Sequence, residues 1–503
     1  MVEKYSVFEL RQKADFAPTA IFSCLGIEVI AKGFRISDDE YAIRFMPEAE
    51  GDWLYSVNWG NEETKGTFVC VPNTGINHGK VITEGFGFRY SDGMDYFPVG
   101  TTCYAWAHQL PELIDQTLKT LESAPFNKLR MCVFPKHMPY NNNDPDMYPF
   151  QKNENGSWDV STPCFEFWNH LETHIVKLGE MGIEADLILF HPYDRWGFSR
   201  LSMNDCMIYL DYCIRRLSAY RNIWWSLANE YDLVTTRTAE DWDVFGNMFK
   251  KEDVYGHMLS IHNFVHMYPK KDWMTHVSAQ NNECRLVKQW RNTYELPVIM
   301  DEFGYEGDIE PNWGNISAFE LINRSWTAIA SGGFVTHGET FDREDEVLWW
   351  AKGGLLHGES PERFAFLKDI KYEIGNLDPP VRKMPVNMNP NTNSSEQLEE
   401  SDIARSLRII MALPEAERNQ FMLMVTPLIG RNPKYMLQYL GRNRPSVLTV
   451  RLPENGSYQV EAIDVWEMTR TVVVEEGSGN LTVKLPGKEG IAVLVTCLSG
   501  ENL

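Results

Sequence analysis

Glu230 and Glu302 each close a short apolar run: Ile223-Trp224-Trp225-Ser226-Leu227-Ala228-Asn229-Glu230 and Pro297-Val298-Ile299-Met300-Asp301-Glu302. Two carboxylates facing one another can split a glycosidic bond. One protonates the leaving oxygen while the other attacks the anomeric carbon or activates water. Runs of this kind read as buried strands of a parallel barrel, and barrel enzymes take their catalytic side chains from the C-terminal ends of such strands. The two residues are 72 positions apart. At roughly 25 to 35 residues per βα unit, that is three units, which puts them on strands 4 and 7.

Asn-Glu at the end of strand 4 and Glu at the end of strand 7 resemble the retaining glycoside hydrolases of the GH-A clan. Residue for residue, the resemblance implies that Glu230 is the acid/base, Glu302 the nucleophile, and Asn229 a contact to a sugar 2-hydroxyl. The string Asp301-Glu302-Phe303-Gly304-Tyr305-Glu306-Gly307 more specifically resembles the apiosidase-like barrel proteins. That implies a pentofuranoside (apiosyl or arabinofuranosyl), on a plant glycoside, as the substrate; a galactoside or mannoside stays open. The long or aromatic loops at Lys136–Phe150 and Trp349-Trp350 point to a closed, exo-acting pocket for a short oligosaccharide. A carbohydrate-binding protein without turnover and an inverting hydrolase using Asp194 or Glu339 as base are the competing readings.

The chemistry sets conditions on these residues. An attacking Glu302 must be ionised, so it needs donors or cations beside it. Glu230 must start protonated, so burial or the other carboxylate should raise its pKa, with Trp224, Trp225 and Tyr231 as apolar walls. The strand period of two turns Asp301 away from Glu302, toward the helix layer. Other polar and aromatic residues at predicted strand ends are candidate substrate contacts: Trp106 and His108 after strand 1; His191, Asp194, Arg195 and Trp196 after strand 3; His262 after strand 5; Gln280 after strand 6; Tyr305 after strand 7; His337, Glu339 and Trp349 after strand 8.

The fold class that positions these residues is α/β, a (β/α)8 TIM barrel flanked by N-terminal and C-terminal β-sandwich domains. Residues 1–95 read as short strands (Ala20–Ile30, Tyr41–Met46, Gly66–Val71, Gly85–Tyr90) punctuated by Gly, Asn and Asp turns. Ile43-Arg44-Phe45-Met46-Pro47 and Gly51-Asp52-Trp53 resemble the β-sandwich module that precedes the barrel in many apiosidase-like proteins, a module able to rim the site. Residues 96–377 alternate strands and helices. Strands are expected at Gly100–Trp106, Lys128–Phe134, Glu184–Phe190, up to Glu230, near Met258–His262, near Thr275–Ala279, up to Glu302, and at Gly333–His337. Helices are expected at Pro111–Ser123, Pro163–Met181 and Asn204–Leu217. Residues 378–503 open with a linker rich in Pro, Asn, Ser and Glu as far as Glu400. Six more strand-like runs then build the second sandwich, between Tyr435 and Thr496.

Composition narrows the function classes. The 503 residues include 16 Trp, and aromatics reach 13%, which suits stacking on sugar rings. A net charge of −23 opposes nucleic-acid binding, which needs clustered Lys and Arg, and anionic membrane surfaces. Nine Cys without a CxxC motif point to free thiols and a cytoplasmic setting. No stretch of about 18 apolar residues is present. Neither a phosphate-binding loop nor a dinucleotide fingerprint occurs, so no cofactor and no metal are expected, and the expected partner is a small carbohydrate.

Overall fold

The computed structural model describes residues 1–345, 347–379 and 402–503. From residue 380 onward, the predicted linker lies outside the described residues. The chain forms two compact units: 1–282 with 290–325 and 333–373, and 374–503 with 283–289 and 326–332.

Eight parallel strands form the centre of the first unit: β1 Val99–Thr102, β2 Lys128–Cys132, β3 Glu184–Phe190, β4 Ile223–Ala228, β5 Leu259–Ser260, β6 Val277–Gln280, β7 Val298–Glu302 and β8 Phe334–His337. They are ordered β5-β4-β3-β2-β1-β8-β7-β6. A parallel bridge between His262 and Ser278 links the two outer strands, so the sheet closes into a TIM-type barrel. The strands are buried on both faces, as all seven residues of β3 show, and this is why they read as apolar runs rather than alternating ones. β1 ends earlier than its apolar run. At Tyr104 and Ala105 the backbone leaves the sheet and donates to Trp350 O at 3.0 Å and Ala351 O at 2.8 Å. Helices α1 Pro111–Ser123, α2 Phe165–Glu180 and α3 Met203–Leu217 come after β1, β2 and β3. Pro111 opens α1, where a missing N–H costs nothing, and the Ser202 side chain caps α3.

The barrel interior is charged. Lys128 Nζ lies 2.6 Å from Asp186 and 2.9 Å from Asp301. Ser278 and Thr336 donate to Asp301 at 2.5 and 2.6 Å. Asp301 therefore faces the barrel axis, not the helix layer that strand alternation predicts. The ladder explains the reversal: Ala279 pairs with Met300 but Gln280 pairs with Glu302, so Asp301 is the extra residue of a bulge. A bulge breaks the period of two and re-aims the residues beyond it.

Before the barrel, a five-stranded and a three-stranded sheet share an apolar cluster that includes Phe22, Phe45, Trp53 and Phe68. The predicted strand Ala20–Ile30 is a hairpin instead. Thr19–Cys24 and Ile27–Lys32 pair across Leu25 and Gly26, whose positive φ of 50° and 83° gives the twist that tight hairpins need. Arg44 of this region pairs with Glu172 of α2, which Arg216 of α3 holds at 2.7 Å.

The second unit carries an antiparallel five-stranded sheet of Leu428–Arg431, Tyr435–Tyr439, Ile491–Gly500, Gly456–Asp464 and Thr469–Gly477, with a pair Val447–Arg451 and Asn480–Lys484 beside it. Tyr458, Val460, Val483, Val493 and Val495 are in its core. The helices Asp402–Ala412 and Glu415–Val425 and the strand Leu428–Arg431 have no counterpart in the sequence reading. Among the described residues, no helix is long and apolar enough to cross a membrane.

Candidate active site

A cavity of about 1160 Å³ opens at the C-terminal ends of the barrel strands. Glu230, Glu302, Asn229 and Gln280 form its floor, and Tyr104, Lys136, Tyr193, Tyr305, Trp313 and Trp350 are among its walls. Each floor residue stands at the end of β4, β6 or β7. Glu230 lies just past β4 with φ 51° and ψ 55°, a left-handed conformation uncommon outside glycine. Its backbone N–H donates to His262 Nδ1 at 3.4 Å, which seats the turn.

The two carboxylates share one donor. With its amide nitrogen turned toward them, Gln280 donates to Glu230 Oε1 and Glu302 Oε2, each at 3.2 Å. These two oxygens are therefore no more than twice that distance apart. Asn229 extends the network: its amide donates to Glu230 Oε2 at 3.2 Å, and its Oδ1 accepts from Arg130 at 2.8 Å and Tyr104 at 3.1 Å.

The surroundings of the pair are unequal. Glu302 accepts from the Tyr104 hydroxyl and from Arg130 Nη1 at 3.1 Å, with His262 Nε2 at 3.8 Å. Burial alone would raise its pKa. The His262 ring beside it, the charges of Arg130 and Lys136 and the tyrosine hydrogen bond outweigh burial and hold it below the usual carboxylate range. Glu230 is buried and, among the described residues, has no cation in hydrogen-bond contact. Desolvation first, and the Glu302 charge second, push its pKa up to about 7. One group is poised as an anion and its neighbour as an acid, the division of labour a two-carboxylate site needs.

The family model for the apiosidase-like catalytic domain matches residues 83–357, and that for a domain of unknown function, DUF5605, matches residues 425–496. The crystal structure of a candidate glycoside hydrolase from Bacteroides vulgatus ATCC 8482 is 32% identical. It covers 99% of each chain with a TM-score of 0.85. The chain belongs to the apiosidase-like family. This apiosidase-like protein is thus a glycosidase. A glycoside hydrolase family 5 structure from the same bacterium is similar in fold alone, at 16% identity, 84% of this chain, 93% of its own and TM-score 0.58. No curated protein matches the chain.

Of the residues expected at the apiosidase-like site, the structure gathers Glu230, Glu302, Asn229, Gln280 and Tyr305 on the cavity, with His262 behind the carboxylates. It places the others elsewhere. Trp106 packs on His174 of α2. His108 Nε2 lies 3.2 Å from Cys132 O, and burial drives its pKa down to about 3. His191 meets Phe134 O at 3.3 Å. Asp194 accepts three backbone N–H groups, from Trp196, Gly197 and Ser199, and is a loop anchor. Arg195 and Trp196 both bond Asp144. His337 bonds Thr101 at 3.0 Å and stacks on Phe126. Glu339 accepts from the backbone of His357 and Gly358. Trp349 donates to Thr101 at 2.8 Å, and its neighbour Trp350 lines the cavity in its stead. The apolar walls expected from Trp224 and Trp225 come instead from Tyr104, Tyr193 and Trp350, and no residue before Tyr104 rims the cavity.

Arg130, Tyr104, Lys136 and Tyr193 are not among the site residues expected from the sequence, although Tyr193 lies in the strand-end string His191–Trp196. Lys128-Leu129-Arg130 carried a signal: two cations at i and i+2 in a buried strand must share its inward face, and an inward cation needs carboxylates.

Proposed function

We propose that the protein is a retaining exo-glycosidase in which Glu302 attacks the anomeric carbon and Glu230 protonates the leaving oxygen, then activates water. The observation that carries the reading is the Gln280 amide held by both carboxylates. The two oxygens it bridges are then at most twice 3.2 Å apart, short of the ~6.5 Å at which inverting spacing begins. The opposite pKa directions of the pair support the same roles. Arg130 and Tyr104 keep negative charge on Glu302 until it attacks. Glu230, after giving up its proton, becomes the base for the second step.

The sugar we favour is a pentofuranoside, apiosyl or arabinofuranosyl, on the non-reducing end of a short glycoside. Support comes from the family and from the cavity, whose walls of Lys136–Tyr140, Glu310–Trp313 and Trp350 surround the carboxylates. Its volume exceeds the roughly 300 Å³ at which small-molecule sites begin, leaving room for a terminal sugar and the group it is attached to. We assign 96–377 to catalysis and read 1–95 as a flanking β-sandwich domain and 378–503 as a linker followed by a second β-sandwich. A panel of nitrophenyl furanosides and pyranosides tests the reading: turnover of a furanoside that disappears in Glu302→Ala supports it, and inertness toward every glycoside rejects it.

A further inference from the structure

Lys136 takes part in no step of the reaction proposed above, yet its setting is the least explained of the charges in the cavity. It is 2% exposed, and among the described residues its ammonium has no hydrogen-bond or ion-pair partner. A buried ammonium without a direct counter-ion is costly, so the surroundings must compensate in another way. They do so with ring faces. Nζ lies 3.2 Å from the Tyr104 ring centroid, 4.5 Å from that of Tyr193 and 5.4 Å from that of Trp350. Aromatic faces attract cations through their quadrupole.

One of those rings carries a hydroxyl that touches a carboxylate: Tyr104 donates to Glu302. Tyr193 lines the same cavity as Glu230. We propose that Lys136 is a positioning residue of the carboxylate pair: one ammonium, seated on the faces of Tyr104 and Tyr193, orients the Tyr104 hydroxyl against Glu302 and sets one positive charge in the cavity that both carboxylates share. This rests on the roles proposed for Glu230 and Glu302.

The groups facing Lys136 come from every strand end around it: Arg130 and Cys132 on β2, Tyr104 after β1, His191 and Tyr193 after β3, Glu230 after β4, His262 after β5 and Glu302 on β7. Of these, Glu230 and Glu302 are the two that Lys136 pulls downward in pKa within the pair. Arg130 also acts on Glu302. Lys136 is thus a shared control: it deepens the ionisation of Glu302 and limits the rise of Glu230.

The sign of the effect is fixed by that charge. Its loss raises both carboxyl pKa values, so Glu302 ionises later and Glu230 keeps its proton longer as pH rises. In Lys136→Met, the kcat/KM profile should move to higher pH on both limbs, by about half a unit to one unit. Lys136→Arg should return both limbs to their wild-type positions. Lys136→Gln provides a second neutral variant, and thermal melting confirms that each protein assayed is folded. A drop in rate with both limbs unmoved, in either neutral variant, overturns the proposal and leaves Lys136 a packing residue. The underlying roles fail separately: they fall if Glu302→Ala keeps its turnover, whatever the Lys136 variants do.

Discussion

Asp301 and Glu302 are consecutive residues reached by one guanidinium. Arg130 Nη1 lies 3.1 Å from Glu302 Oε1, and its Nε lies 3.9 Å from Asp301 Oδ1. In a regular strand, neighbours point to opposite faces. Here the bulge at Asp301 brings both carboxylates over the barrel axis. Asp301 then belongs to the buried charge cluster with Lys128 and Asp186, and Glu302 stands one layer higher, at the cavity floor. The cluster below thereby supports the carboxylate above, through Arg130.

Arg130→Met should therefore hurt twice. It leaves Asp186, Asp301 and Glu302 with one fewer buried cation, and breaking a buried ion pair from one side costs about 3 to 5 kcal/mol. Urea denaturation should register that loss. The activity that remains should need higher pH, because Glu302 loses a charge that keeps it ionised. Wild-type stability in this variant would show that the cluster does not support the site.

Arg44→Ala offers the contrast. Neither it nor its partners Glu172 and Arg216 line the cavity. Stability should fall by about 3 to 5 kcal/mol while kcat of the folded protein stays within about twofold. A selective loss of kcat would connect the N-terminal sheets to catalysis.

The protonation of Glu230 bears on both activity and stability. Its folded pKa of about 7 lies above the ordinary 4.5. Catalysis needs its proton, so kcat/KM should fall above about pH 7. The fold also gains from that proton: the contribution is complete below the unfolded pKa and is lost as pH rises through 7. Glu230→Gln, always neutral, should be nearly inactive yet melt higher than wild type at pH 8 to 9, with the gap closing near pH 5. Equal melting across that range would show that Glu230 is not held protonated.

The roles of the pair separate by leaving group. Glu302→Ala should lose about 10⁴-fold or more on every substrate. Glu230→Ala should lose about 10² to 10⁴-fold on poor leaving groups, and much less on activated ones in the first step. Azide should rescue it by forming a glycosyl azide. Equal losses on activated substrates, without azide product, would contradict the assignment.

Much of this was legible in the sequence because buried parallel strands announce themselves as apolar runs, and β3 and α1 have the bounds read from their composition. The floor residues Asn229, Glu230, Gln280 and Glu302 were legible because each ends such a run. Which other residues at or beyond a strand end join them was not. Trp106, His108, His191, His337, Glu339 and Trp349 stand at the same kind of position, but nothing in a linear pattern says whether the chain turns a side chain toward the axis or toward the helices. Their polar atoms find backbone and hydroxyl partners that only the fold supplies. The bulge at Asp301 inserts one residue without a sequence mark, and nothing in the sequence marks Lys136 as the lysine around which three rings close.

The most direct test of double displacement between Glu230 and Glu302 is the first-formed anomer, observed by proton NMR during hydrolysis of a glycoside that the enzyme accepts. Retention of the substrate's configuration before mutarotation is the predicted result. Initial release of the opposite anomer would contradict it, because a single displacement by water inverts the centre.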